Sequence, residues 1–203
     1  MQSDITPNMA EFMGVLVADG NIQYNKSYRG YRVKIAGDKR YETEYFTKHL
    51  ANIIRSEFGL ETKFYEYKKN NGFECYFYSK KVVEELLSRG MVTNKNKTSP
   101  RIPKQIKEDK ILMKAFLRGF FDCDGTVYRK YGNYLQIGFR NIDTKILKLI
   151  HGFLEKLDYH PSITLKHNNV FIHRQAEVTH FFDDIKPANQ KHCKRLEKLK
   201  DYS

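Results

Sequence analysis

The chain has 203 residues, 40% of them hydrophobic, which is enough to bury the core of one domain or of two small ones. Its 36 Lys and Arg residues against 24 Asp and Glu residues give a net charge of +12, which predicts a polyanionic partner such as nucleic acid. No apolar run is long enough for a membrane helix, no basic stretch precedes an apolar one as in a signal peptide, and the three cysteines are too scattered for a disulfide framework or a zinc site. We therefore expect an intracellular protein with no membrane partner.

The first predicted element is an apolar helix that ends in Asp-Gly. Thr6 offers a capping hydroxyl directly before Pro7, and proline is favoured at the first helical position. Residues 11–20 read EFMGVLVADG. The helix is predicted to run to Asp19, with Gly20 ending it.

Two predicted hairpins follow, over residues 21–40 and 63–81, with an amphipathic helix over 42–58 between them. In the first hairpin, apolar and basic residues alternate, so Arg32 and Lys34 are expected on one face of a sheet whose other face is buried. A short helix over 80–89 is predicted to complete this half of the chain.

Residues 91–104 read MVTNKNKTSPRIPK, which is typical of a linker. It separates a predicted N-terminal repeat, residues 1–90, from a predicted C-terminal repeat, residues 105–203.

The second half repeats the order of elements in the first. Residues 116–125 read FLRGFFDCDG and again end in Asp-Gly. Predicted strands follow over 126–140 and 163–174, and predicted helices over 143–157 and 176–185. The four strand segments hold 16 of the 36 basic residues but three of the 24 acidic ones, so an α+β fold with two one-sided, basic antiparallel sheets is expected.

Small residues lie four apart in both apolar helices: Gly14 and Ala18 in the first, Gly119 and Cys123 in the second. Such pairs allow two helix backbones to approach closely. We expect the helices to pack through these four residues.

This packing would bring Asp19 and Asp124 together. A single Asp-Gly is most often a simple turn. Two carboxylates at helix C-termini face the negative ends of the helix dipoles, and at about 4 Å they repel each other by roughly 4 kcal/mol at an effective dielectric of about 20. The pair therefore predicts a site for a divalent cation.

These two segments resemble the signature of the LAGLIDADG homing endonucleases, with residues 12–20 and 117–125 matching it in register. The resemblance implies two pseudo-symmetric αββαββα repeats in a monomer, with antiparallel sheets that form a DNA-binding saddle. It also implies that Asp19 and Asp124 are the catalytic acids. The family places a basic residue after the second strand of each repeat, which here is Arg140 and either Lys39 or Arg40. Asp122 has no counterpart in the first motif and is interpreted as structural.

The implied activity is site-specific cleavage of both strands of DNA, leaving short 3′ overhangs, by a protein encoded in an intron. The implied cofactor is Mg²⁺, or another divalent cation, held by Asp19, Asp124 and the nearby backbone carbonyls of Ala18 and Cys123.

Side chains that can contact bases or phosphates are predicted on the strands and hairpin tips. They are Arg29, Arg32, Lys34, Lys68, Lys69, Arg129, Lys130, Gln136, Arg140, Lys166 and His173.

Two alternatives stay open. One is a maturase whose partner is the host intron RNA. The other is a DNA-binding regulator that does not cleave; the presence of both motif acids argues against it.

Overall fold

The computed structural model describes residues 4–25, 30–95 and 97–201. The α-helices are α1 (Pro7–Ala18), α2 (Lys39–Glu44), α3 (Ala51–Phe58), α4 (Lys80–Ser88), α5 (Lys104–Glu108), α6 (Lys110–Asp124), α7 (Thr144–Lys156), α8 (Gln175–Ile185) and α9 (Gln190–Asp201). The strands are β1 (Gly20–Asn25), β2 (Gly30–Asp38), β3 (Lys63–Glu66), β4 (Gly72–Tyr78), β5 (Gly125–Tyr131), β6 (Tyr134–Arg140), β7 (Ser162–Thr164) and β8 (Asn169–Ile172).

The strands form two antiparallel four-stranded sheets with the same strand order, β1-β2-β4-β3 and β5-β6-β8-β7. In the first sheet Val33 and Ile35 are buried against the helices, and in the second Ile137 and Phe139 are buried in the same way. The opposite side of each sheet, called the open face below, carries the alternate residues of each strand. The predicted α+β fold with two αββαββα repeats is confirmed.

The two apolar helices begin and end where local chemistry predicts. Thr6 caps α1 by accepting a hydrogen bond from the backbone N–H of Met9 at 3.0 Å. Asp109 caps α6 by accepting from Ile111 and Leu112. Asp19 is the C-cap of α1, and Asp124 is the last residue of α6.

The amphipathic helix of the first repeat differs from its prediction. It begins at Lys39 rather than residue 42, because the Asp38 carboxylate accepts a hydrogen bond from the backbone N–H of Arg40 at 2.9 Å and caps the new start. Between α2 and α3 the chain is a π-helix, Tyr45–Leu50, which the apolar periodicity did not indicate.

The packing of α1 against α6 joins the two repeats. A Cβ atom added at Gly14 would overlap the carbonyl oxygen of Phe116, and one added at Gly119 would overlap the carbonyl oxygen of Glu11. The Glu11 carboxylate, 1% exposed, crosses the interface to bond the guanidinium of Arg118. The two helix backbones therefore approach each other closely at Gly14 and Gly119, as the spacing of the small residues predicted.

No helix among residues 4–25, 30–95 and 97–201 is long and apolar enough to span a membrane.

We predict that Gly14→Ala destabilises the protein by about 3 kcal/mol or more, because the new methyl group would force the helix backbones apart. Urea unfolding measures the effect. Gly152→Ala is the matched control, since Gly152 lies in α7 with open space around its Cα; there we expect a stabilisation of about 0.5–1 kcal/mol from helix propensity. Equal stabilities for the two variants would contradict the close packing.

Candidate functional site

The carboxylates of Asp19 and Asp124 lie near each other at the adjoining C-terminal ends of α1 and α6. Burial raises the pKa of Asp19 to about 7, and the neighbouring Asp124 and Glu42 carboxylates add to the rise. Burial also raises the pKa of Asp124, although Lys95 and Lys191 oppose this and the Asn141 side chain donates a hydrogen bond to the carboxylate. The site thus concentrates negative charge away from solvent.

A lysine from the segment after the first repeat caps the end of α1. The Lys95 ammonium group lies 3.1 Å from the carbonyl oxygens of Leu16 and Val17 and 2.6 Å from that of Ala18. Burial lowers its pKa, while Asp19 and Asp124 act in the opposite direction. A cation therefore lies at the negative end of the α1 dipole, beside both aspartates.

A second lysine does the same for α6. The Lys191 ammonium group lies 3.2 Å from the carbonyl oxygen of Cys123 and 2.6 Å from a carboxylate oxygen of Glu42 in the first repeat. Lys95 comes seven residues after the end of α4, and Lys191 comes six residues after the end of α8. The two lysines are thus pseudo-symmetric equivalents.

Two cavities flank the aspartate pair, each with one of these lysines. The first, about 360 Å³, is lined by Lys95, Asp124, Arg140 and Asn141 among others. The second, about 580 Å³, is lined by Lys191 and by Arg40 among others. Each combines a lysine that follows one repeat with the segment after the second strand of the other, so both sites are built jointly by the two repeats.

The predicted basic residues after the second strands are placed unequally. Arg140 lies in the first cavity, where its positive charge opposes the rise that burial causes in the pKa of Asp124. The Lys39 ammonium group instead lies 3.6 Å from the Glu66 carboxylate, on β3. Arg40 pairs with Asp38 at 2.6 Å and lines the second cavity. The structure thus brings Arg140 and Arg40 to the cavities, and it pairs Lys39 with β3.

Sequence reasoning missed Lys95 and Lys191. The usable signal was their equivalent position, a lysine shortly after the last helix of each repeat. The first lies in the segment interpreted as a plain linker, and the second in a tail rich in other lysines. Their roles become visible only where the chain folds back onto the helix ends.

On the open face of the first sheet, two predicted DNA-contacting residues share one acid. Arg32 and Lys34 pair with the Glu74 carboxylate at 2.9 and 2.8 Å, and Tyr67 donates its hydroxyl to the same carboxylate at 2.7 Å. Glu74 is only 5% exposed. It fixes both basic side chains on the face that the sequence predicted for them.

The open face of the second sheet carries a chain of hydrogen bonds instead of ion pairs. Tyr128 donates its hydroxyl to the Gln136 side chain at 2.7 Å, Gln136 bonds His173, and His173 bonds Ser162. The structure brings Gln136 and His173 together on this face, and Gln136 is 2% exposed because its neighbours cover it.

The other predicted contact residues fall into three groups. Arg129 shares the side of β5 with buried Val127, and its guanidinium donates to the Leu199 carbonyl at the end of α9, so it does not reach the open face. Arg29 lies outside the described residues. The residues that are exposed on strand ends and turns are Lys68, Lys69, Lys130 and Lys166.

Asp122 ties the second motif to the turn between α8 and α9. Its carboxylate is fully buried and accepts hydrogen bonds from the backbone N–H groups of Ala188 and Asn189 at 3.0 and 3.1 Å. The Asn189 side chain reaches on to Glu42 in the first repeat at 3.1 Å. These contacts give Asp122 a structural role and place Lys191 beside the site.

Comparison with known proteins agrees with this architecture. Residues 112–186 match the family model of the LAGLIDADG-like domain. The family match covers the second repeat, and the chain as a whole shares the two-repeat LAGLIDADG fold. The homing endonuclease I-DmoI, solved with DNA and Mn, matches it with a TM-score of 0.60 at 19% identity, over 90% of this chain and 97% of that one. The N-terminal LAGLIDADG domain of DUF199/WhiA matches with a TM-score of 0.60 at 13% identity, over 91% of this chain and 85% of that one.

The curated relatives are longer than this chain. The replication factor C small subunit of Methanocaldococcus jannaschii is 27% identical over 98% of this chain, which spans 10% of that protein. An uncharacterised protein of the same organism is 26% identical over 89% of this chain, which spans 60% of its length.

We predict that Asp19→Asn stabilises the protein in EDTA at pH 8 by roughly 1–3 kcal/mol. The folded-state pKa of Asp19 is raised above its unfolded value, so wild type loses stability as the pH rises from about 4 to about 7. The gain of the variant should therefore disappear as the pH falls to 4. Urea unfolding across this pH range measures it.

Asp109→Asn is the control, because Asn and Asp cap helices about equally well and Asp109 is exposed. We expect its stability to stay within about 0.5 kcal/mol of wild type at each pH. If Asp19→Asn were as stable as wild type at pH 8, the carboxylate pair would not be under electrostatic stress.

Proposed function

We propose that this protein is a site-specific DNA endonuclease that hydrolyses both strands of a long duplex target. The proposal extends to the finer expectations from the sequence: a monomer that acts inside the cell, is encoded in an intron and leaves short 3′ overhangs.

The observation that carries the proposal is the half-buried pair Asp19 and Asp124, each beside a helix end capped by a lysine. The raised pKa values show that the pair opposes folding at neutral pH. A chain that needed these helices only for packing would be more stable with neutral residues here. Stressed carboxylates of this kind cluster at functional sites.

The residues fit a hard divalent cation such as Mg²⁺. The carboxylates of Asp19 and Asp124 offer only oxygen donors, which Mg²⁺ prefers. The other predicted ligands, the carbonyls of Ala18 and Cys123, already accept hydrogen bonds from Lys95 and Lys191. The described residues contain no cluster of three or more acidic, histidine or cysteine side chains that could hold a metal alone. The remaining ligands would be water and DNA phosphate oxygens, as is common for Mg²⁺. When bound, the cation supplies charge neutralisation at the scissile phosphate and lowers the pKa of bound water.

The chain's own residues hold the reacting groups. The carboxylates of Asp19 and Asp124 orient the attacking water, which adds its oxygen to the phosphorus while the bond to the 3′ oxygen breaks. Lys95 and Arg140 in one cavity, and Lys191 and Arg40 in the other, stabilise the charge that develops on the phosphate. One proton passes from the attacking water to the leaving oxygen.

The two open faces supply the target contacts. Arg32 and Lys34, held by Glu74, lie on the open face of the first sheet, and the exposed imidazole of His173 lies on that of the second, where it bonds the covered Gln136. Arginine pairs well with guanine edges.

A DNA-binding regulator that does not cleave is the second candidate, because the LAGLIDADG domain of WhiA has the same fold. The stressed Asp19–Asp124 pair favours cleavage over this alternative. Neither the contacts in the structure nor the matched proteins support intron RNA as the partner.

We predict that wild type cleaves a plasmid library of randomised long targets in Mg²⁺ and not in EDTA, and that Asp19→Asn and Asp124→Asn lose cleavage. DNA binding by both variants, measured by gel shift, should remain. Sequencing the cut ends identifies the target. If wild type binds DNA with target preference yet leaves it intact, the protein is a regulator.

We predict that Lys191→Met lowers the cleavage rate of the recovered target by about 100-fold or more, since it removes a positive charge at the phosphate. Lys39→Met is the matched control and should stay within a few-fold of wild type, because Lys39 pairs with Glu66 instead. Single-turnover rates, with thermal melts to confirm folding, test both. If Lys39→Met lowered the cleavage rate more than Lys191→Met, Lys39 would be the basic residue at the phosphate, as the sequence predicted.

A further inference from the structure

Helix α9 carries a stripe of four basic residues that the cleavage chemistry does not account for as a whole. Lys191, Lys194, Arg195 and Lys198 follow the spacing i, i+3, i+4, i+7, which places them on one side of a helix. All four line the second cavity. Buried His192 and Leu196 anchor α9 to the second repeat, and His192 also lines the cavity.

The cavity collects positive charge from both repeats. Arg40 faces the stripe from the start of α2, and none of the described residues that line the cavity is acidic. Lys191 and Arg40 have partners of their own, Glu42 and Asp38. For Lys194, Arg195 and Lys198, the structure records no ion pair with a described residue, so three charges remain to attract an external anion.

The surroundings point to the open side of the second sheet. Arg195 lies 3.5 Å from the hydroxyl of Thr126, which shares the open face of β5 with Tyr128. Lys191 reaches the carbonyl of Cys123, next to Asp124. The stripe therefore starts at the site and extends away from it along β5.

The first cavity has no equivalent feature. It is lined by two acids, Asp124 and Asp143, and by two basic residues, Lys95 and Arg140. The described residues 97–103, after Lys95, form no helix, whereas Lys191 lies in the first turn of α9. Within the described part of the chain, the basic stripe therefore belongs to the second half.

We propose that α9 and Arg40 form a phosphate clamp that grips the backbone of duplex DNA beside the second cavity, on one side of the target only. The clamp rests on the proposed DNA-binding function. From Lys191 to Lys198 the helix rises about 10 Å, which matches two to three successive phosphates of one strand at about 3.4 Å of axial rise each. Lysine suits such contacts because it acts as a point charge with no geometric demand.

The test is the salt dependence of binding to a duplex of about 30 base pairs in EDTA, where cleavage plays no part. Lys194→Gln combined with Lys198→Gln removes two phosphate contacts, so the slope of log K against log salt should fall in magnitude by about 1.8. Affinity at 0.1 M salt should fall about tenfold or more. Both side chains are exposed, and Gln is a good helix former, so the variant is expected to fold.

Lys104→Gln combined with Lys110→Gln is the matched control. It removes the same charge at the opposite end of α6, about 20 Å from Asp124, from side chains that are 84% and 61% exposed. Its slope should equal that of wild type. Equal slopes for wild type and the α9 variant, or equal losses in both variants, would overturn the clamp alone. Failure of wild type to bind duplex DNA at all would overturn the clamp and the proposed function together.

Discussion

The close approach of α1 and α6 is the constraint on which the rest of the structure depends. With glycine at positions 14 and 119, each helix backbone lies against the other, and no other residue leaves room for that contact. The approach brings two helix C-termini to the same end, so their partial negative charges add to those of Asp19 and Asp124. A packing solution based on two small side chains therefore creates an electrostatic problem a few residues further on.

Two lysines that are distant in the sequence, Lys95 and Lys191, place positive charge at these helix ends. Lys95 lies 77 residues after Ala18 in the sequence, and Lys191 lies 68 residues after Cys123, yet each reaches the carbonyl of that residue. They reduce the negative charge without cancelling it, because the pKa of Asp19 still rises to about 7. The excess that remains is what a divalent cation and a bound phosphate would share.

Contacts between the repeats hold this stressed site together. At one end of the helix pair, Glu11 of α1 bonds Arg118 of α6. At the other, Glu42 of the first repeat accepts hydrogen bonds from Asn189 and Lys191 of the second. Neither repeat can complete the site alone, since each cavity takes its lysine from one and its opposing wall from the other.

Local sequence patterns predicted most of the fold, but contacts between residues distant in the sequence could not be predicted from them. The cap at Thr6, the alternation of Arg32 and Lys34 with apolar neighbours, and the paired Asp-Gly endings depend on residues a few positions apart. Lys95 and Lys191 depend on where the chain returns after a whole repeat, which no local period encodes. The predicted positions of Lys39 and Arg129 were wrong for the same reason, because contacts with distant elements decide them.

Lys39 and Arg129 show how a single contact changes where a basic side chain lies. Lys39 pairs with Glu66 because Asp38 caps the helix three residues earlier than the apolar pattern indicated, which turns Lys39 toward β3. Arg129 keeps the side of β5 that faces α9, and the carbonyl of Leu199 draws its guanidinium there. A basic residue on a strand predicts an exposed charge on the open face. Here the packing of a distant helix, α9, keeps the Arg129 side chain on the other face of the sheet.

The pseudo-symmetry is strict where the sheets and motif helices form the site and ends where each repeat ends. After the first repeat, the chain must cross to the second, so the segment around Lys95 is a connection. After the second repeat, the segment that holds Lys191 forms α9 instead. Each cavity consequently contains a lysine, but two acidic residues line the first cavity, whereas none of the described residues that line the second is acidic. Under the proposed function, this difference would let a fold with two similar halves engage two unlike halves of one DNA site, because it lies beside the aspartate pair and leaves the shared helix interface unchanged.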